Sequence, residues 1–207
     1  MGRTSHRSDQ PATEAAAAMR VIAGNAHGRR ISAPRGLKTR PATARIRASI
    51  FSRIDARFDL TGARVLDLYA GSGSLGLEAL SRGAAHVTFV DSSRAAAVAI
   101  AKNLGVFGFA DAARMLTADV MRALTDLGAA RERFDLVFVD APYANDLSAA
   151  VLATLVEKEL MLPRGLAVVR QAGRAPALAP TGLERVNEAT LGDHRIALYR
   201  RFQQPPR

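Results

Sequence analysis

The sequence predicts an α/β fold: a mostly parallel, doubly wound sheet, closed by an antiparallel hairpin and preceded by a small basic β-hairpin/helix extension. Three observations carry that expectation. From residue 62 onward, short apolar runs alternate with helix-like segments, the pattern of a parallel sheet covered on both faces. A glycine turn, Gly71-x-Gly73-x-x-Gly76, lies between the first of those runs and the helix-like segment after it. After Pro176 the alternation stops, and two strand-like stretches follow with no clear helix between them.

Residues 1–18 are polar, alanine-rich and without period, so a disordered tail is expected there. Met19 directly precedes the first structured-looking segment and is a candidate start. Residues 20–38 hold two short apolar stretches around Gly24-Asn25 and Gly28, which predicts a β-hairpin. Residues 41–58 read as a helix opened by Pro41 and Thr43. Ile46, Ile50, Phe51 and Ile54 share one face of it, with Arg45, Arg47, Arg53 and Arg57 largely off that face. Strands are expected at Arg64–Tyr69, His86–Asp91, Arg114–Ala118, Phe134–Asp140 and Leu166–Arg170. Helices are expected at about 74–82, 93–105, 120–130 and 147–160. The closing hairpin falls near Leu183–Ala189 and His194–Phe202. The division is a tail at 1–18, a basic extension at 19–60 and a main domain at 61–207.

The chain has 207 residues, 48% of them hydrophobic, enough for one sizeable core with an appendage. It has no cysteine, which excludes a disulfide framework and a cysteine-ligated metal site. No apolar run approaches the length of a membrane span, and no secretory signal pattern opens the chain. A soluble, cytoplasmic monomer without a metal is the expectation. The net charge is +10 and unevenly placed. Residues 1–60 hold 12 Lys/Arg against 4 Asp/Glu, and the remainder holds 17 against 15. A cationic end on a nearly neutral body suits a polyanion, and most of the cations are arginines, which fork onto phosphates and stack on bases.

Two motifs carry chemistry. The glycine turn lets backbone approach a ligand and lets the next helix pack close to the sheet, but alone it fits a nicotinamide dinucleotide as well as S-adenosylmethionine. Asp91, ending the second strand, can bind ribose hydroxyls in either case. Asp67 discriminates. It stands four residues before Gly71, where a carboxylate repels a pyrophosphate and attracts the sulfonium and ammonium of S-adenosylmethionine. Asp119, after the third strand, can accept from an adenine amino group. The plain alternative is that Asp67 and Asp119 cap the turns that follow them.

The second motif is Asp140-Ala141-Pro142-Tyr143 at the end of an apolar run. A carboxylate, a turn proline and an aromatic face arrive together at the edge where ligands of open α/β sheets sit. An aromatic exocyclic amine is a poor nucleophile, because its lone pair enters the ring. Asp140 can accept one of its N–H groups and the carbonyl of Ala141 or Pro142 the other, while Tyr143 stacks on the base. The base must leave its stack to reach such a pocket. Together the motifs predict methyl transfer from S-adenosylmethionine to an amino nitrogen.

With these residues in place, the chain resembles the bacterial 16S rRNA guanine-N2 methyltransferases of the RsmD type. The resemblance runs from Met19 to about Phe202. It is carried by Arg20-Val-Ile-Ala-Gly24 with Gly28-Arg-Arg30, and by Arg40-Pro-Ala-Thr-Ala-Arg-Ile-Arg47 leading to Phe51. The stretch from Asp67 to Gly83, Asn103-Leu104 and Val139-Asp-Ala-Pro-Tyr143 complete it. The resemblance implies a Rossmann-like class I methyltransferase. It implies S-adenosylmethionine held by Asp67, Gly71, Gly73, Asp91 and Asp119, and a target base held by Asp140, Pro142 and Tyr143. Arg20, Arg29, Arg30, Arg40, Arg45 and Arg47 would face RNA. The implied partner is 16S rRNA, within the 30S subunit or its assembly intermediate. Two departures stand out: Ala141 replaces the usual first proline, and Ala44 and Ala48 replace usual acids. Adenine-N6, cytosine-N4 and glutamine-N5 methyltransferases carry similar tetrapeptides, and a non-catalytic RNA-binding relative and a nicotinamide oxidoreductase remain as alternatives.

Overall fold

The computed structural model describes residues 19–34, 43–142 and 147–202. The expectations for the tail at 1–18, for Arg40, Pro41 and Tyr143, and for the far end of the hairpin lie outside these residues. Helix α1 is Ala44–Asp55, opened by Thr43, whose hydroxyl accepts from the Ile46 N–H at 3.3 Å. Strands β1 (Arg64–Leu68), β2 (His86–Asp91), β3 (Ala113–Thr117) and β4 (Phe134–Val139) then alternate with helices α2 (Ser74–Ser81), α3 (Arg94–Phe107) and α4 (Val120–Ala129). Helix α5 (Ser148–Glu157) and strands β5 (Met161–Ala172), β6 (Leu183–Leu191) and β7 (His194–Arg201) complete the chain.

All seven strands form one sheet in the order β3-β2-β1-β4-β5-β7-β6. The first five are parallel, and β7 and β6 add antiparallel. This is the mostly parallel, doubly wound, Rossmann-like sheet with a closing antiparallel hairpin that the sequence predicts. Its strand order reverses between β1 and β4, which leaves a crevice beyond their carboxyl ends.

Strand residues alternate between two apolar layers, because successive side chains point to opposite faces. Val65, Phe89, Leu136, Phe138 and Val168 meet α1, α2 and α3 on one face. Leu66, Leu68, Val90, Val137 and Val139 meet α4 and α5 on the other. Helix α1 is built into the first layer: Phe51 is fully buried, 5.8 Å from the ring of Phe138 on β4.

The hairpin expected at 20–38 contracts, within the described residues, to one antiparallel bridge between Arg20 and Arg30 around a turn. The physical reason is its surroundings. Helix α2 takes over the backbone groups that a second ladder would have paired. Glu78, fully buried, accepts from the N–H groups of Ile22 at 2.7 Å and Ala23 at 2.9 Å. Ser81 accepts from the Ala26 N–H through its hydroxyl and from the Asn25 N–H through its carbonyl. Gly24 permits the approach: a Cβ there would stand 1.8 Å from the Ser81 carbonyl oxygen, and its φ is +83°.

Strand β5 also runs longer than expected, from Met161 rather than Leu166. It passes Pro163 by a register shift between Phe134 and Leu136 on β4. No described helix is long and apolar enough to cross a membrane.

Candidate active site

The crevice is built from the loops after β1, β2 and β4. β1 leads through Tyr69, whose φ of +58° is unusual for a residue with a side chain, into Gly71 at +56° and Gly73 at +74°. Strained backbone of this kind gathers at ligand sites. Gly73 is the N-cap of α2 and has no side chain to cap it. Asp67 does so instead, its Oδ2 accepting from the Gly76 N–H at 2.9 Å. Gly76 lets that turn lie against the sheet, since a Cβ would fall 2.3 Å from Cε1 of Phe89.

Asp67 is 2% exposed. Burial holds its carboxyl well above the usual carboxylate range, the Gly76 N–H pulls it back, and the charges of Asp140 and Asp91 push it up again. Asp67 is therefore a buried capping group that fixes the glycine turn rather than a surface of the crevice. The capping alternative also describes Asp119: its Oδ1 accepts from Met121 at 2.9 Å and Arg122 at 3.1 Å, opening α4, while the side chain stays exposed. Asp91 is half-buried and holds both loops that face it. Its Oδ2 accepts from Gly71 and its Oδ1 from Ser93, each at 2.8 Å. These residues fit S-adenosylmethionine. The glycine turn gives close backbone, and Asp91 gives a carboxylate at a strand end beside it, where a cationic ligand is favoured over a pyrophosphate.

Asp140 follows β4 directly, across the same crevice, with Ala141 buried and Pro142 exposed behind it. It has a partner that sequence reasoning missed. Arg170 of β5 forks onto it, Nε to Oδ1 at 2.6 Å and Nη2 to Oδ2 at 2.8 Å. The signal was present, since Arg170 ends an apolar run as Asp140 does. Sequence alone does not show that β4 and β5 are neighbours.

Among the arginines, Arg20, Arg29, Arg30 and Arg45 are exposed. Arg29 lies with its guanidinium carbon 5.9 Å from the ring centroid of Phe107 and donates to the Val106 carbonyl at 3.2 Å. Arg47 is a correction. It is fully buried and donates through Nη2 to the Arg20 carbonyl at 2.6 Å. The segment around Arg20 lies over that side of α1, so Arg47 holds the extension rather than facing RNA. Burial lowers its pKa, and the charge of Glu78 opposes the shift. Asn103 of α3, in the Asn103-Leu104 motif, has a structural role that the sequence does not show. It accepts from the Ser32 N–H and donates to the carbonyls of Ser32 and Ser72, tying the extension to the glycine loop.

Comparison with known proteins agrees with this architecture. The family model described as Conserved hypothetical protein 95 matches residues 19–200. YlbH of Bacillus subtilis is 37% identical over 185 residues, covering 88% of this chain and 99% of that one. Ribosomal RNA small subunit methyltransferase D of Escherichia coli K12 is 30% identical over 187 residues, covering 90% and 91%. The solved structure of yhhF from Escherichia coli superposes with a TM-score of 0.79 at 30% identity, covering 90% of this chain and 99% of that one. With the crevice, the glycine loop and the Asp140 corner already in place, these matches show that the chain belongs to the Conserved hypothetical protein 95 family, the RsmD-type methyltransferases.

Proposed function

We propose that this protein transfers the methyl group of S-adenosylmethionine to the exocyclic N2 of a guanine in 16S rRNA, met within the 30S subunit or its assembly intermediate. The observation that carries the reading is the place of Asp140. It directly follows β4, the strand beside β1 at the switch point, across from the glycine loop and Asp91. When bound there, S-adenosylmethionine would supply an electrophilic methyl carbon, leaving as the neutral thioether while the methylated nitrogen gives up one proton to solvent. The chain's own work is positional. Asp91 and the loop at Gly71 and Gly73 hold the cofactor, with Asp67 fixing the glycine turn from beneath through the Gly76 N–H. Asp140 accepts an amine N–H, and the carbonyl of Ala141 or Pro142 a second, so the nitrogen is more pyramidal and more nucleophilic. Holding the reacting atoms in line supplies much of the acceleration. Tyr143 stacks on the base. Arg20, Arg29, Arg30, Arg40 and Arg45, in the extension at 19–60, grip phosphates while residues 61–207 carry the chemistry.

The test is transfer from labelled S-adenosylmethionine to naked 16S rRNA, to 30S particles and to total DNA, followed by nucleoside analysis. N2-methylguanosine from RNA is expected. Methylated adenine or cytosine overturns the acceptor. No transfer to any of the three, with the cofactor bound, overturns catalysis.

A further inference from the structure

The carboxylate placed at the target amine is not alone: the neighbouring strand holds it in a two-point grip. We propose that Arg170 is a positioning residue for the transfer, fixing the plane of the Asp140 carboxylate so that the lone pairs left open face the amine in one direction. The inference rests on the amine transfer proposed above.

The register produces the pair. β4 and β5 run parallel with Val139 opposite Val169, so residues 140 and 170 stand side by side where both strands reach the crevice. The contact is side-on, Nε to Oδ1 at 2.6 Å and Nη2 to Oδ2 at 2.8 Å, the geometry that only a guanidinium provides. The side chains are 11% and 17% exposed, so water does not weaken this pair as it weakens pairs on the open surface. Arg170 is braced in turn: its Nη1 lies 3.4 Å from Nδ1 of His194. His194 starts β7, where it pairs with Ala172 of β5. Three strands thus converge on one carboxylate.

The fork leaves Asp140 able to act. A carboxylate offers about four lone-pair sites, and the fork uses two. The remaining two can accept from the amine. Ungripped, the terminal torsion of an aspartate is broad, and the acceptor direction would be unset. In-line transfer is sensitive to that direction, since a misplacement of about 1 Å costs on the order of 10²-fold. A purely structural cross-strand pair would act differently. Its loss would lower melting temperature and cofactor affinity rather than turnover.

The experiment measures kcat, KM for the RNA substrate, S-adenosylmethionine affinity and melting temperature for the wild type, R170A, R170K, D140N and the double variant D140N/R170A. In R170A, kcat is expected to fall by about 10- to 100-fold, with KM and cofactor affinity within about twofold of wild type. R170K restores the charge without the fork, so it recovers only part of kcat. In the D140N background, R170A adds little further loss, because the two residues act as one unit. A wild-type or raised kcat in R170A overturns the proposal, as do losses that multiply in the double variant or appear only in KM, cofactor affinity or stability. If R170A melts below the assay temperature, R170K decides, and full wild-type kcat there overturns the proposal. A wild type that methylates no RNA overturns the proposed function first and takes this inference with it, before any variant is compared.

Discussion

Asp67 and Arg47 show how far a residue's chemistry depends on what covers it. Asp67 stands near the end of β1, just before the glycine turn, and the fold has buried it to cap α2. Its raised pKa has a consequence for stability. The folded state keeps the Asp67 proton at pH values where the unfolded chain, titrating near ~3.9, has lost it. Between those two values the folded state binds more protons, so stability falls as pH rises through that window. D67N keeps an oxygen for the Gly76 N–H and does not titrate. Its melting temperature should therefore fall less than that of the wild type as pH is raised from about 4. Parallel curves for the two proteins would show that burial does not hold the proton. Arg47 lies two residues from Arg45, yet only Arg45 is open to solvent. R47A should lower the melting temperature, because it removes the support of the Arg20 carbonyl and leaves a buried gap. R45A should leave the melting temperature nearly unchanged. Equal effects, read by thermal melts, would contradict the burial of Arg47.

At the scale of elements, the segment at 19–34 is fastened to the methyltransferase body. Glu78, Ser81 and Asn103 satisfy its backbone, and Arg82 joins α2 to α1 through Asp55 at 2.8 Å and across the Phe51 ring at 4.7 Å. Removing the Glu78 carboxyl leaves two N–H groups without their acceptor, at about 1–3 kcal/mol each. E78A should therefore lose hydrogen-exchange protection at Ile22 and Ala23 and become susceptible to proteolysis in this segment. Unchanged protection there would mean that α2 does not hold the segment. The same segment presents Arg29 and Arg30 to solvent. R29A/R30A should weaken RNA binding and lower the slope of log affinity against log salt by about 1.4–1.8, the release expected for two lost phosphate contacts. An unchanged slope would return these arginines to a role in solubility.

For the whole molecule, a single sheet with an apolar layer on each face brings β1, β2 and β4 to one crevice. A ligand that binds only this assembled crevice stabilises the entire fold. S-adenosylmethionine at 100 times its dissociation constant should add about 2.7 kcal/mol, read as a higher melting temperature, and NAD should add none. Stabilisation by NAD alone would overturn the cofactor assignment.

The sequence by itself determined the elements and the local motifs. The alternation of strand and helix, the glycine turn, the acids at strand ends and the charge of the first 60 residues each depend on a few neighbouring positions. Backbone geometry sets those periods. The tertiary structure decided which distant groups meet. Arg170 is 30 residues from Asp140, and Glu78 is 56 from the Ile22 N–H. Those encounters follow from strand order and register, which no local period encodes. The contracted hairpin and the burial of Arg47 have the same origin. Whether a backbone N–H pairs with its own strand or with a carboxylate from α2 is settled by what packs over it. A helix face that looks polar in isolation is buried once another segment lies across it, and that contact exists only in the assembled fold.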